Sequence, residues 1–158
     1  NCYFFNGFVW TYSLKCLHDV SLMLQNGSRS RPICQESPTY TAKGLPWALR
    51  VVMECSDRTN YENKLAIYVK CNWESENREW NCDYSASYTL VNRDADASFS
   101  NSILNRVLNF DHSLRGFHSF VKLTHLINEE KGFVTDGSIT IEVKITINKI
   151  TGVEYVAK

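Results

Sequence analysis

The chain has 158 residues, of which 44% are hydrophobic and 22% are charged, as expected for one globular domain. Seventeen basic residues balance seventeen acidic ones, so the chain lacks the basic excess with which proteins bind nucleic acids or anionic membranes. It also lacks an apolar run long enough to cross a bilayer.

Alternation of apolar and polar residues is the strongest pattern along the chain. The clearest case is the stretch 139–147, in which four isoleucines and one valine alternate with polar residues. This period of two is typical of a strand with one buried and one solvated face. The pattern predicts six strands, at residues 10–16, 47–53, 65–71, 80–90, 103–110 and 139–147.

Helical signals are few. Short turns of helix are predicted at residues 19–25 and 122–127, and the strands are separated by polar turns at 26–38, 56–63, 72–79, 92–98 and 135–137. Antiparallel strands joined by turns, without a βαβ rhythm, predict an all-β sandwich. We divide the chain into an apolar N-terminal extension (1–9), one domain (10–148) and a C-terminal tail (149–158). Because the chain opens on Asn rather than Met, we expect it to be part of a longer protein.

The six cysteines allow two interpretations. They could form three disulfides in a secreted protein, or remain buried free thiols in an intracellular one. No pair has the C-x-x-C spacing of a zinc or redox motif. We favour reduced thiols, at Cys2, Cys16, Cys34, Cys55, Cys71 and Cys82.

The residues that commonly carry catalysis or bind metals do not form a recognisable set. The four histidines lack ligand spacing, and no cysteine lies in a glycine-rich elbow. Asp94 and Asp96 with Asn92 lack the central Gly and distal Glu of a calcium loop. We therefore predict no catalytic residue, no metal site and no cofactor.

Several segments, in order, resemble the MATH domain, also called the TRAF-homology domain. They are residues 44–51 (GLPWALRV), 65–71 (LAIYVKC), 80–82 (WNC), 90–92 (LVN), 116–117 (GF), 132–133 (GF) and the closing strand 139–147. The resemblance covers residues 10–148. Within the family these segments are most similar to the substrate-binding domain of a ubiquitin-specific protease. The alternatives are a MATH adaptor fused to a BTB domain in a cullin ubiquitin ligase, and a secreted disulfide-bonded β-sandwich.

The resemblance implies an eight-stranded antiparallel sandwich that is a binding module. In this family an extended peptide pairs with the backbone of one exposed strand, while pockets read its side chains. The implied partners are short linear motifs in other proteins, and the implied location is the nucleus or cytoplasm. No heptads precede Trp10, so we expect a monomer rather than a coiled-coil trimer.

The resemblance also indicates which residues would form the peptide groove. Protease-type members carry Asp-Trp-Gly-Phe on the groove strand, where this chain has Leu114, Arg115, Gly116 and Phe117. An arginine before the Leu-Pro-Trp turn is Lys43 here. Gly116 would allow close backbone approach. If Lys43, Arg115 and His118 cluster, acidic or phosphorylated peptides become the expected ligands. The competing hypothesis is a groove that has lost its ligand.

Overall fold

The computed structural model describes residues 6–26, 31–55, 59 and 62–153. In this part of the chain nine strands and two α-helices follow one another as β1 (Gly7–Lys15), α1 (Leu17–Asn26), β2 (Ile33–Glu36), β3 (Tyr40–Ala42), β4 (Leu45–Glu54), β5 (Lys64–Cys71), β6 (Asn81–Leu90), β7 (Phe99–Asn109), β8 (Leu114–Lys122), α2 (Leu123–Leu126) and β9 (Ser138–Thr151). Among the described helices, none has the length and apolar character needed to cross a membrane.

The strands form two antiparallel sheets. Sheet A has the order β1-β9-β6-β7, and sheet B has the order β2-β4-β5-β8 with β3 also paired to β4. The predicted all-β antiparallel sandwich is confirmed. The predicted count of eight strands is wrong, because nine are present among the described residues.

The additional strand arises because one edge of sheet B is interrupted. β2 and β3 pair in succession with the same side of β4. Between them lies Pro38, which has no N–H to donate to the ladder. Ser37 fills the gap, since its hydroxyl accepts a hydrogen bond from the Leu49 N–H at 2.8 Å and its own N–H donates to the Leu49 carbonyl at 2.9 Å. The predicted turn over 26–38 therefore contains the strand β2.

Strand and helix bounds differ from the predicted ones mainly by extension. β1 begins at Gly7, and β9 continues to Thr151. β7 begins at Phe99 rather than at residue 103, and α1 has ten residues. Of the predicted N-terminal extension and C-terminal tail, residues 1–5 and 154–158 lie outside the described residues.

The core lies between the two sheets and contains large aromatic side chains. Trp47, Trp80, Tyr84 and Tyr88 are fully buried. The cysteines among the described residues are free, and three of them, Cys16, Cys71 and Cys82, are buried. Burial raises the pKa of Cys16 to about 11 and that of Cys82 to about 12, and it also raises the pKa of Cys71. Such thiols pack as small apolar groups.

The two long sides of the sandwich are built differently. On the side of β1, the ring of Tyr40 from sheet B stacks on Phe8 and Trp10 of sheet A. The Tyr12 hydroxyl donates to the Glu36 carbonyl at 3.2 Å, which joins the same two sheets. The other side is bordered by the edge strands β7 and β8. The candidate site lies there.

Candidate functional site

Strand β8 is the last strand of sheet B, so one side of its backbone has no neighbouring strand among the described residues. Its other side pairs with β5, and the Cys71 N–H donates to the Ser113 carbonyl at 2.9 Å. Because hydrogen-bonded and non-hydrogen-bonded pairs alternate along antiparallel strands, the N–H and C=O groups of Leu114 and Gly116 point away from β5. These groups form an open edge onto which another strand can pair.

The side chains of β8 alternate between two surfaces. Arg115 and Phe117 are in register with the core residues Val69 and Ile67, so they point towards sheet A. Leu114 and Gly116 point to the outer face of sheet B, and His118 lines that face as well. A ligand along the open edge would therefore have a different surface on each side.

The first surface is a depression of about 290 Å³ on the outer face of sheet B, here called the outer depression. Glu36, Arg50, Tyr68 and Gly116 are in register across four strands and form one row beneath it. The Tyr68 hydroxyl is hydrogen-bonded to Nδ1 of His118 at 2.5 Å, which fixes the imidazole at the rim. The lining residues are Arg50, Val52, Glu54, Tyr68, Leu114, Arg115, Gly116 and His118.

The positive charges of the outer face are partly neutralised. Arg50 Nε lies 3.3 Å from Oε1 of Glu36, and Lys70 Nζ lies 3.0 Å from Oε2 of the same carboxylate. The ammonium of Lys70 also lies 4.3 Å from the ring centroid of Trp73. A hydrogen bond to the Cys34 sulfur and the charge of Glu36 both contribute to raising the pKa of Arg50. On this face, Arg50 and Lys70 are therefore both ion-paired, and they share the carboxylate of Glu36.

The second surface is a depression of about 280 Å³ between the edges of the two sheets, here called the inter-sheet mouth. It is lined by Ile103, Arg106, Arg115, Gly116 and Phe117. Arg115 Nε donates to the Val107 carbonyl at 3.3 Å, so the guanidinium spans from β8 to β7. The Phe117 ring packs edge-on against Tyr88, with centroids 5.6 Å apart.

Gly116 is required by the sheet itself. A Cβ built on it would lie 1.9 Å from the Ile67 carbonyl oxygen and 2.7 Å from the Tyr68 Cα. Both atoms belong to the neighbouring strand β5. The sequence suggested that Gly116 allows a ligand backbone to approach closely. In the structure, the missing side chain allows β8 to approach β5.

Lys43 lies apart from the other predicted groove residues. It occupies the two-residue turn between β3 and β4, where both Lys43 and Gly44 have positive φ, of 54° and 75°. It is at the same end of sheet B as Leu114, but β4 and β5 lie between them. It lines neither depression. Arg115 and His118 both line the outer depression, but Lys43 does not join them there.

Sequence reasoning missed six residues that line the two depressions: Arg50, Val52, Glu54, Tyr68, Ile103 and Arg106. Arg50 and Tyr68 occupy outward positions of β4 and β5, where alternation with buried residues could have identified them. Arg106 lies in β7, whose irregular pattern concealed its direction. Among the described residues no group of His, Cys, Asp or Glu could hold a metal ion. Asp94 instead caps the short 3₁₀ helix Ala95–Ala97, and its carboxylate accepts from the Asp96 N–H.

An open edge strand is a surface onto which an extended peptide can add as a further strand. A family profile described as MATH domain matches residues 16–145, and the chain belongs to that family. The resemblance read from the sequence is confirmed. As a MATH domain, the chain is a protein-interaction module and not a catalytic domain.

Curated relatives carry this domain within longer proteins. The chain is 30% identical over 123 residues to BTB and MATH domain-containing protein 38 of Caenorhabditis elegans, covering 77% of this chain and 31% of that protein. It is 32% identical over 140 residues to protein 36 of the same series and organism, covering 82% and 41%. It is 27% identical over 123 residues to ubiquitin carboxyl-terminal hydrolase 7 of Drosophila melanogaster, covering 77% and 10%. The chain thus spans less than half the length of each of these relatives.

Proposed function

We propose that this domain recruits other proteins by pairing an extended segment of the partner with strand β8. The observation that carries the proposal is the open backbone edge at Leu114 and Gly116, which has a depression on either side. Main-chain hydrogen bonds would supply affinity without regard to sequence, and the depressions would supply specificity.

The charges beside β8 support a preference for acidic segments. Leu114 and Arg115 stand where protease-type members carry Asp and Trp, so the chain lacks the carboxylate that would accept a hydrogen bond from a peptide serine. Arg115 offers a guanidinium, and His118 lies at the rim of the outer depression. Guanidinium groups bind carboxylates and phosphates through short charge-assisted hydrogen bonds.

We further propose that recruitment serves the ubiquitin system. The two BTB and MATH domain-containing relatives are 30% and 32% identical to the chain, against 27% for the ubiquitin hydrolase. We therefore place first the adaptor of a BTB-containing ubiquitin ligase, whose relatives share slightly more identity with the chain, and second the ubiquitin-specific protease that the sequence motifs favoured. The similarity to the ubiquitin hydrolase supports the protease as the second candidate. The full-length transcript tests the choice: a BTB domain encoded beside this one would support the adaptor, and a protease domain would support the protease.

Two matched leucine substitutions test the proposed edge. Leu114 lies on β8 beside the outer depression, whereas Leu104 is a 70% exposed leucine on β7 that borders a different surface. On a peptide array, Leu114→Ala should weaken the peptides that bind the wild-type domain, and Leu104→Ala should leave them unchanged. Equal effects of the two substitutions would move the binding surface away from β8.

The mode of binding has its own test. In strand addition every second ligand residue directs its N–H to the edge strand. A scan of N-methylated residues along a binding peptide should therefore abolish binding at alternate positions. Uniform tolerance along the peptide would contradict strand addition.

A further inference from the structure

Two arginines face each other across the inter-sheet mouth. Arg115 on β8 is in register with the core residue Val69 and therefore points towards sheet A. Arg106 on β7 is in register with the core residue Tyr84 and therefore points towards sheet B. The two guanidinium groups thus converge on one depression from opposite sheets.

Neither guanidinium has an acidic partner among the described residues. The ion pairs in that part of the chain involve Arg50, Lys64, Lys70 and Lys122. Arg115 Nε donates a hydrogen bond to the Val107 carbonyl. This bond orients the guanidinium and leaves its two terminal nitrogens available to an anion. Two like charges held at one mouth repel each other, and an anion bound between them would offset this repulsion.

The surroundings of the mouth strengthen the binding of an anion there. Ile103 and Phe117 supply apolar walls, which lower the local dielectric and so strengthen charge interactions. Nearby, the Tyr84 hydroxyl is buried and has no hydrogen-bond partner among the described residues. Burial raises the pKa of Tyr84 to about 12, and the positive charges of Arg115 and Arg106 oppose that rise. Both arginines are therefore close to this buried phenol.

We propose that the inter-sheet mouth binds a phosphorylated serine or threonine of the segment that pairs with β8. This inference rests on the proposed function, because the strand position determines which ligand side chain enters the mouth. Successive side chains of a strand point to opposite faces. One ligand residue therefore meets the outer depression, and its neighbour enters the mouth.

Charge selects a phosphate over a carboxylate. A phosphoserine carries about −1.5 to −2 charges at pH 7 and three acceptor oxygens, which match two guanidinium groups. A glutamate carries one charge and two oxygens. On the outer face, by contrast, Glu36 already pairs with Arg50 and Lys70. The phosphate preference is therefore assigned to the mouth.

The test uses the complete chain and an oriented library of extended peptides with one central position fixed as Ser, Glu or phosphoserine. Binding is measured by fluorescence polarisation to the wild type, Arg106→Gln and Arg106→Lys. Arg78→Gln is the charge-matched control, because the Arg78 guanidinium lies over the Phe110 ring and lines neither depression. Because Arg106 is exposed, its substitution should leave the fold intact, and equal melting temperatures verify this.

We expect the wild type to bind the phosphoserine series at least tenfold more tightly than the serine series, with the glutamate series in between. Arg106→Gln should reduce this advantage to threefold or less, Arg106→Lys should restore part of it, and Arg78→Gln should retain it. Equal binding of the phosphoserine and serine series to the wild type would overturn the inference and leave strand addition standing. Absence of binding by every series would overturn both.

Discussion

The Tyr88 hydroxyl donates a hydrogen bond to the Arg115 carbonyl oxygen at 3.3 Å. Tyr88 lies in the middle of sheet A and Arg115 lies on the edge strand of sheet B, so this bond crosses the core. The bond from Arg115 Nε to the Val107 carbonyl crosses in the same place. Together they hold the open edge of sheet B at a fixed distance from sheet A, which keeps the inter-sheet mouth in shape.

Two tyrosine substitutions should have different effects on stability. Tyr88→Phe removes the hydrogen bond to Arg115 and should lower the free energy of unfolding by about 1 kcal/mol. Tyr84→Phe removes a buried hydroxyl that has no partner among the described residues, so it should be neutral or stabilising. Urea unfolding of both variants measures the difference, and equal losses would contradict the assigned bonding.

A side chain at position 116 should detach β8 from β5. Gly116→Ala places a Cβ 1.9 Å from the Ile67 carbonyl oxygen, so we expect a loss of about 3 kcal/mol in unfolding free energy together with loss of peptide binding. Gly44→Ala is the control, because no atom lies within 4 Å of its Cβ and only the positive φ of 75° is strained. That strain costs about 1 kcal/mol. A smaller loss for Gly116→Ala than for Gly44→Ala would contradict the packing argument.

The interrupted edge of sheet B depends on one hydroxyl. Ser37→Ala removes the acceptor of the buried Leu49 N–H, and an unsatisfied buried donor costs about 1–3 kcal/mol. Ser102→Ala, on the outer face of sheet A, should change stability by less than about 0.5 kcal/mol. Chemical unfolding of the two variants is the measurement, and an unaffected Ser37→Ala domain would show that water satisfies the Leu49 N–H.

The buried thiols should make the domain less stable in alkali. The pKa of Cys82 is raised from 9.0 to about 12 and that of Cys16 from 9.0 to about 11, mainly by burial. Because the folded pKa is raised, the folded state holds its protons where the unfolded chain releases them, so the free energy of unfolding falls as the pH rises above 9. Urea titrations at pH 8, 9 and 10 measure this fall.

A cysteine variant separates the thiols from other alkaline effects. Cys82→Ala should make the decline above pH 9 less steep, whereas Ser102→Ala, which removes no thiol, should leave it unchanged. Each slope is compared with the wild-type slope so that the cavity left by Cys82→Ala does not enter the comparison. Identical slopes for all three proteins would assign the alkaline loss to other groups, such as the buried tyrosines.

Regular alternation made the central strands predictable, and irregularity concealed much of the rest. In β7 a bulge opposite the step from Tyr84 to Ala86 inserts a residue, and Asn105 adopts a φ of 53° there. As a result Ile103 and Arg106 lie on the same face of the sheet although they are three positions apart. In a regular strand with a period of two they would lie on opposite faces. This is why Arg106 escaped prediction.

The short edge strands escaped for another reason. β2 and β3 have four and three residues, and none of these side chains is fully buried, so they carry no apolar alternation. Of the groove residues, the sequence placed Leu114 to His118 on one strand only through the family resemblance. It could not show that Arg115 turns towards sheet A, because that direction depends on the register with Val69.

Because one edge of sheet B is interrupted at Pro38, a further strand can add to this sheet more readily at the opposite edge. On the side of β2 and β3, the proline break and the stacked Tyr40 ring leave short and partly covered strands, which are poor templates for another chain. Among the described strands of this sheet, β8 is the one edge strand that is long and continuous. Two copies that met through β8 would each use up that edge, so pairing would stop at two copies, and an occupied domain could not seed a fibre through sheet B.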